Sequence, residues 1–400
     1  MKILYISALS SKRVINNIYQ HTKDNPGFAV QKFSRLLVRG LRACDVEVVA
    51  LSNPPVPYGA SKSSILACRG ECEDDIVYRY VPFINIPILK HICLFINAFF
   101  HVWRWGSAER RDKAIICDVL SVSICLGALL ASKISRVKSA AMVTDVYGLL
   151  VGKDSGLLSR LASALNAYYT RLFDSYILLT EQMNSLVNPR KKPHIVMEAL
   201  CDSLSEDTSC TKEKHNDPRI IIYAGGIYEK YGLKMLAEGF LKANVDNAKL
   251  VYYGSGPYVE EFKSLCTRHS NLEYRGVASN EEILIEEQKA TLLVNPRFST
   301  EEFTKYSFPS KNMEYMVSGT PLLTTKLPGM PQEYYSYVFL FEEETVDGYA
   351  RAIHRAMSYP ESTLSAFGEK ARTFVLSHKN NIKQGSRIIR LVKGSFDSEE

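Results

Sequence analysis

The chain has 400 residues, 46% of them hydrophobic and 23% charged, with a formal net charge of +6 and no low-complexity tract. That composition excludes disordered and fibrous classes, and the length suits two domains of ordinary size rather than one doubly wound unit. The charge is uneven: residues 1–180 hold 22 Lys/Arg against 13 Asp/Glu, so the first half is basic and the remainder slightly acidic. A basic half fits an anionic surface or substrate, or a solvated face without a ligand. No basic–aromatic module of the nucleic-acid-binding kind accompanies it, so nucleic acid is not an expected partner.

Strand and helix patterns alternate from the start. Lys2–Ile6 reads as a strand, Gln31–Ala43 as a helix and Val46–Ala50 as a strand. Ala114–Asp118, a helix around Ser121–Ser132, the strand Ser139–Thr144, a helix from Leu157 to Phe173 and the strand Ser175–Leu179 continue the rhythm of a parallel sheet. Met1-Lys2 runs straight into the first strand without a secretory leader, and the nine cysteines show no metal-ligand spacing, Cys68 and Cys72 having no second pair nearby. Free thiols and no export signal make the cytoplasm the expected compartment.

Ile86–Trp105 (IPILKHICLFINAFFHVWRW) breaks the rhythm. It is apolar almost all round, with Lys90, Asn97, His101 and Arg104 on one narrow helical stripe. Its polar positions make spanning a membrane costly. The open readings are a helix lying at a lipid interface, with Trp103, Trp105, Arg104 and Arg110-Arg111 at its end, or a helix buried beside the sheet. On the first reading, residues 86–111 meet an anionic membrane surface.

Ser205–Pro218 is polar, charged and ends on proline, as a linker does. The expected organisation is therefore residues 1–204, a linker over 205–218 and a second domain over 219–379, with 380–400 returning to the first. The second series of strands is Arg219–Ala224, Lys249–Tyr253, Leu272–Tyr274, Ala290–Val294, Pro321–Thr325 and Val338–Phe341. Gly225-Gly226 follows the first of these, with Lys230 entering the next helix, Leu233–Ala243. Gly254-Ser-Gly256 follows the second strand and Gly276-Val277 the third. Glycines at strand ends let backbone come close to a ligand, and three such turns in one domain are more than turn chemistry requires.

The densest stretch is Asn295–Pro328 (NPRFSTEEFTKYSFPSKNMEYMVSGTPLLTTKLP). A strand ends near Pro296, Pro309 opens a helix that Ser310 or Ser307 can cap, and Gly319-Thr-Pro321 closes it. Glu314 then lies on the second turn of a helix whose N-terminus points into a crevice. Helix N–H groups suit a phosphate, and a carboxylate suits ribose hydroxyls. Arg297 at the strand end supplies a fork for phosphate oxygens. The plainer readings are a solvated surface lysine at Lys230 and a carboxylate complementing the helix dipole at Glu314.

On these residues the chain resembles GT-B glycosyltransferases of the GT4 type, closest to those of bacterial capsule and exopolysaccharide synthesis. Ala224–Leu233 is similar to their lysine-bearing strand–loop–helix, Tyr253–Gly256 to their second glycine turn, and Phe308–Pro321 to their most diagnostic stretch. The resemblance spans essentially the whole chain and is strongest from about Arg219 onward. It implies an α/β fold of two Rossmann-like doubly wound domains facing across a cleft, with the C-terminal helix crossing back. It also implies retaining transfer of a sugar from a nucleotide sugar, with no cofactor and no metal, and it favours UDP over GDP. Carried over by position, Gly225, Gly226, Lys230, Gly254, Gly256, Val277, Arg297, Ser310, Lys311 and Glu314 would bind the donor. Lys230 and Arg297 would hold the diphosphate and Glu314 the ribose. Two positions depart: Gly226 stands where the family often has arginine, and Tyr306 stands where its first glutamate belongs, leaving Glu301 or Glu302 to reach the sugar.

In the first half, Asp145 in Met142-Val-Thr-Asp-Val-Tyr-Gly148 fits either an acceptor-positioning base or a helix cap. Gly27 and Lys32 fall in the loop that resembles the family's phosphate- and acceptor-approaching loop. The expected protein is a cytoplasmic, membrane-peripheral enzyme. It would transfer a hexose or N-acetylhexosamine from a UDP-sugar to a lipid-linked saccharide. A nucleotide-sugar 2-epimerase of the same fold, and a catalytically silent subunit that binds a partner transferase, are the alternatives.

Overall fold

The computed structural model describes residues 1–19, 28–56, 65–108, 112–146, 157–204, 214 and 217–394. The chain divides into two compact units, Met1–Leu200 with Asn380–Glu400, and Cys201–Lys379. The first contains β1 (Lys2–Ser7), α1 (Lys12–Tyr19), α2 (Phe28–Arg42), β2 (Glu47–Ser52), β3 (Ile65–Leu66), β4 (Glu71–Glu73), β5 (Ile76–Tyr80), β6 (Phe83–Ile84), α3 (Leu89–Ser107), β7 (Lys113–Asp118), α4 (Val122–Ile134), β8 (Lys138–Val143), α5 (Leu157–Thr170), β9 (Ser175–Leu178), α6 (Gln182–Val187) and β10 (His194–Val196). The second contains β11 (Arg219–Ala224), α7 (Leu233–Ala243), β12 (Ala248–Tyr253), α8 (Val259–Cys266), β13 (Leu272–Tyr274), α9 (Asn280–Lys289), β14 (Leu292–Asn295), α10 (Ser310–Val317), β15 (Leu322–Thr325), β16 (Phe339–Phe341), α11 (Val346–Met357) and α12 (Glu361–His378). The last helix, α13 (Asn381–Lys393), belongs to the first unit.

The first sheet runs β10-β9-β8-β7-β1-β2-β5-β4 and the second β13-β12-β11-β14-β15-β16. All paired strands within them are parallel except β4 with β5. Parallel strands are covered on both faces, which is why Ile3–Ile6, Ala114–Cys117 and Ile220–Ala224 are unbroken apolar runs, all buried. Tyr5, Leu37, Leu41, Ile116 and Met142 lie in the first core, and Ile221, Leu236, Phe240, Tyr252 and Leu323 in the second.

The helix α13 is laid on α2 at two glycines, Gly40 and Gly385. A Cβ on Gly40 would lie 1.9 Å from the Asn381 carbonyl oxygen, and one on Gly385 would lie 2.7 Å from the Gly40 carbonyl carbon. Asn380 starts α13, its side chain accepting from the Lys383 N–H at 2.8 Å.

The polar stripe of α3 turns toward the protein at Lys90, Asn97 and His101, while Arg104 is exposed. Lys90 Nζ donates to the Val56 carbonyl at 2.9 Å, Asn97 Nδ2 to the Pro82 carbonyl at 2.9 Å, and burial together with Arg79 lowers the His101 pKa. Leu94, Ala98 and Val102 are buried. The opposite face, Leu89, Ile92, Ile96, Phe100 and Trp103, is exposed. The sequence showed the polar stripe but not which way it faces; much of it is turned in, and an apolar side is turned out. Beside it α4 packs closely, a Cβ on Gly127 falling 2.2 Å from the Phe95 carbonyl oxygen, and exposes Leu130 and Ile134. Among the described residues no helix is long and apolar enough to cross a membrane. Arg110 and Arg111, and most of the 205–218 segment, lie outside the described residues.

Candidate functional site

The site is built from the strand ends of the second sheet. After β11 the chain turns through Gly225 and Gly226 into a 3-10 turn, Glu229–Tyr231, before α7. Tyr223 Oη donates to the Gly226 carbonyl at 2.9 Å and fixes this loop; burial raises its pKa while the charge of Arg297 opposes the rise. The loop after β12 lies directly on it. Gly225 N donates to the Tyr253 carbonyl at 3.0 Å and Ile227 N to the Ser255 carbonyl at 2.8 Å. A Cβ on Gly254, where φ is +127°, would lie 1.9 Å from the Gly225 carbonyl oxygen, and one on Gly256 would lie 2.2 Å from that of Ile227. Those two glycines therefore make room for neighbouring backbone, a packing reason that strand-end position alone did not reveal. Gly254 N also donates to the Gly276 carbonyl at 2.7 Å, which presents Val277 at 74% exposure.

Two cations meet on one ring. Lys230 Nζ lies 5.6 Å from the Tyr228 ring centre and 5.7 Å from that of Tyr231. Arg297 follows β14 and Pro296, and its Cζ lies 4.6 Å from the Tyr231 ring and 6.0 Å from Phe303. The loops touch because Gly232 has no side chain: at φ +78°, its Cβ would fall 2.1 Å from the Pro296 carbonyl oxygen. Glu302 is exposed in the 3-10 turn Glu302–Lys305, and Glu301 and Tyr306 are half-buried around it. This loop folds over buried Thr304, whose hydroxyl donates to the Glu301 carbonyl at 2.6 Å, while the Glu344 carboxylate accepts from Ser299 N at 3.0 and 3.1 Å.

The helix α10 begins differently from expectation. Pro309 is its N-cap, no side chain caps it, and the Ser307 hydroxyl donates instead to the Phe303 carbonyl at 3.0 Å. Neither Ser310 nor Ser307 caps because Pro309 occupies the cap position and carries no acceptor side chain. The first turn thus has no side-chain acceptor for its N–H groups. Lys311 and Glu314 form an ion pair at 2.9 Å, each about one-third exposed (32% and 33%).

Three buried features hold α10 against the sheet, and sequence reasoning missed them. Tyr315 Oη accepts from Ala224 N at 2.9 Å and donates to the Ala224 carbonyl at 3.2 Å, at the end of β11. Asn295 Nδ2 donates to Asn312 Oδ1 at 2.6 Å, joining α10 to β14 two residues before Arg297. Thr324 Oγ1 donates to the Asn295 carbonyl at 2.9 Å and closes the set on β15. A signal was present: Asn295 ends an apolar strand and Asn312 sits among apolar helical residues, where amides need partners.

In the first unit Asp145 follows β8, half-buried, and burial raises its pKa. Asp118, not singled out from sequence, ends the neighbouring strand β7 opposite Met142. It is buried, accepts from Leu120 N at 3.2 Å, and burial pushes its carboxyl up to about 6, with Asp145 adding to the rise. Lys32 is exposed on α2; Gly27 lies outside the described residues.

Residues 206–374 match the family model described as glycosyl transferases group 1. No curated protein matches the chain. Solved structures are similar over almost its whole length. HepE from Anabaena, in complex with UDP, has a TM-score of 0.63 at 13% identity, covering 98% of this chain and 100% of that one. Sucrose-phosphate synthase from Thermosynechococcus elongatus gives 0.61 at 13%, covering 99% and 100%. The pneumococcal O-GlcNAc transferase GtfA, in complex with UDP and GlcNAc, gives 0.58 at 9%, covering 98% and 99%. The fold is GT-B, with two Rossmann-like domains, as the sequence resemblance implied. The family match over the second unit and this fold make the chain a glycosyltransferase.

Proposed function

We propose that this glycosyltransferase moves a hexose or N-acetylhexosamine from a UDP-sugar to a lipid-linked saccharide in cell-surface polysaccharide synthesis. The transfer retains anomeric configuration, needs no bound metal, and takes place at the cytoplasmic face of the membrane. The observation that carries the donor reading is a charge left over: among the described residues, Lys230 and Arg297 make no ion pair, beside a helix without a side-chain cap. Breaking a sugar–phosphate bond builds charge on the leaving diphosphate, and one fixed donor there is worth ~3 kcal/mol in the transition state. Lys230, Arg297 and the first N–H groups of α10 are the donors; Glu314, held by Lys311, takes the ribose. Glu302 faces the sugar from its exposed turn, and Asp145 positions or deprotonates the acceptor hydroxyl. HepE and GtfA were each solved with UDP, which supports the base. The exposed apolar face of α3 supports a membrane-borne acceptor.

A thermal-shift screen against UDP, GDP, ADP, TDP and their sugar conjugates tests the donor site. A ligand at a hundredfold over its Kd stabilises by ~2.7 kcal/mol. The expected result is a shift with the uridine family alone, lost in Glu314→Ala. No shift with any nucleotide defeats the transferase reading, and turnover of the UDP-sugar without any acceptor points to the epimerase.

A further inference from the structure

We propose that Tyr231 is a positioning residue of the donor site, its ring holding Lys230 and Arg297 together with both charges available to a nucleoside diphosphate. The proposal rests on the donor reading above. The ring is within 5.7 Å of Lys230 Nζ and 4.6 Å of Arg297 Cζ, so one side chain serves both cations. It is itself fixed: Tyr228 meets it edge-on at 5.3 Å, and Tyr231 N donates to the Tyr228 carbonyl at 3.0 Å. The next residue, Gly232, is pinned against Pro296, one residue from Arg297.

Several other cations of this unit are held by carboxylates, while Lys326 and Lys370 each lie over a single tyrosine ring, 4.9 Å from Tyr335 and 5.3 Å from Tyr337. Lys311 pairs with Glu314 at 2.9 Å, Lys234 with Glu261 at 3.0 Å, and Arg275 with Glu273 at 2.7 Å and Glu286 at 3.0 Å. Even Glu229, adjacent to Lys230 in sequence, reaches Lys234 instead, at 3.9 Å. A carboxylate fixes a cation by cancelling its charge, whereas an aromatic face attracts a cation through its quadrupole and carries no net charge. A site that must bind a diphosphate needs cations that are ordered but not neutralised. Tyr231 meets that need with its ring rather than its hydroxyl.

The test is calorimetric titration of the full chain with UDP and with UMP at one ionic strength. The variants are Tyr231→Leu, Tyr231→Met, Tyr231→Phe, Lys230→Ala and Arg297→Ala, with circular dichroism to select those that fold. Losing two cation–ring contacts weakens UDP about tenfold in Tyr231→Leu or Tyr231→Met, while UMP stays within about twofold. Tyr231→Phe keeps UDP within about threefold of wild type. If Tyr231→Phe falls as far as the ringless variants, or those variants bind UDP normally while Lys230→Ala and Arg297→Ala do not, the positioning role is wrong and the donor reading stands. If UDP is indifferent to Lys230→Ala and Arg297→Ala, the donor reading itself fails and takes the proposal with it.

Discussion

Replacing Asp118 with asparagine separates a buried charge from the fold that tolerates it. Asp118 is 4% exposed, and the bond the structure gives its carboxylate comes from Leu120 N at 3.2 Å. Burial first, then the nearby charge of Asp145, pushes its pKa up to about 6 from an ordinary 3.8. The folded state therefore binds this proton more tightly than the unfolded chain does. For a carboxyl raised in this way, stability is greatest below the unfolded pKa and is lost as pH rises through the interval up to the folded one. At 1.36 kcal/mol per pKa unit, the loss is about 3 kcal/mol by neutral pH. The substituted amide would keep an acceptor for Leu120 and never ionise. The assay is urea or thermal unfolding at several pH values, wild type beside Asp118→Asn, so that titrating groups not coupled to Asp118 cancel in the difference. The two proteins should agree within about 0.5 kcal/mol near pH 4. The variant should be the more stable by about 3 kcal/mol near pH 7.5, or about 6–12 °C in Tm for a unit of this size. A difference that does not change with pH, or a variant less stable at pH 7.5, refutes the buried-carboxylate account.

Tyr315→Phe removes the hydroxyl that meets both the N–H and the carbonyl of Ala224, so the second unit should lose about 1–3 kcal/mol. A lower urea midpoint at unchanged slope would show it, and a change under about 0.5 kcal/mol would count against the bond. Phe100→Glu places a charge on the exposed face of α3 without opening a cavity. Stability should hold while co-sedimentation with vesicles containing anionic phospholipid falls at least about tenfold, since burying one large apolar side chain is worth ~1.5–3 kcal/mol; unchanged sedimentation would remove α3 from the membrane proposal.

The regular parts of this fold are legible because parallel strands write themselves as apolar runs: Arg219–Ala224 is the same segment in sequence and structure. The β4–β5 hairpin is not legible, since Glu-Cys-Glu-Asp-Asp lacks strand character and its stability comes from far away. Ser11 and Arg13 meet Glu71 at 2.5 and 2.7 Å, Lys12 and Arg39 meet Asp74 at 3.1 and 3.0 Å, and Asp74 and Asp75 turn with positive φ. Periodicity found the polar stripe of α3 but not which way it faces, because that is decided by the carbonyls of Val56 and Pro82 in irregular segments. The candidate site divides in the same manner. Lys230, Arg297 and Glu314 stand at strand and helix ends, where pattern points, whereas Tyr315 and the Asn295–Asn312 pair look like core until their partners are known. Charge balance is the least local property of all. Glu229 beside Lys230 and Glu314 three residues after Lys311 look equally able to neutralise a lysine, yet only the second pair forms. Among the described residues, Lys230 and Arg297 remain uncompensated where two loops meet at Gly232 and Pro296. That remainder, rather than the presence of lysine or arginine, is what separates a cation ready for a diphosphate from one that merely stabilises a surface.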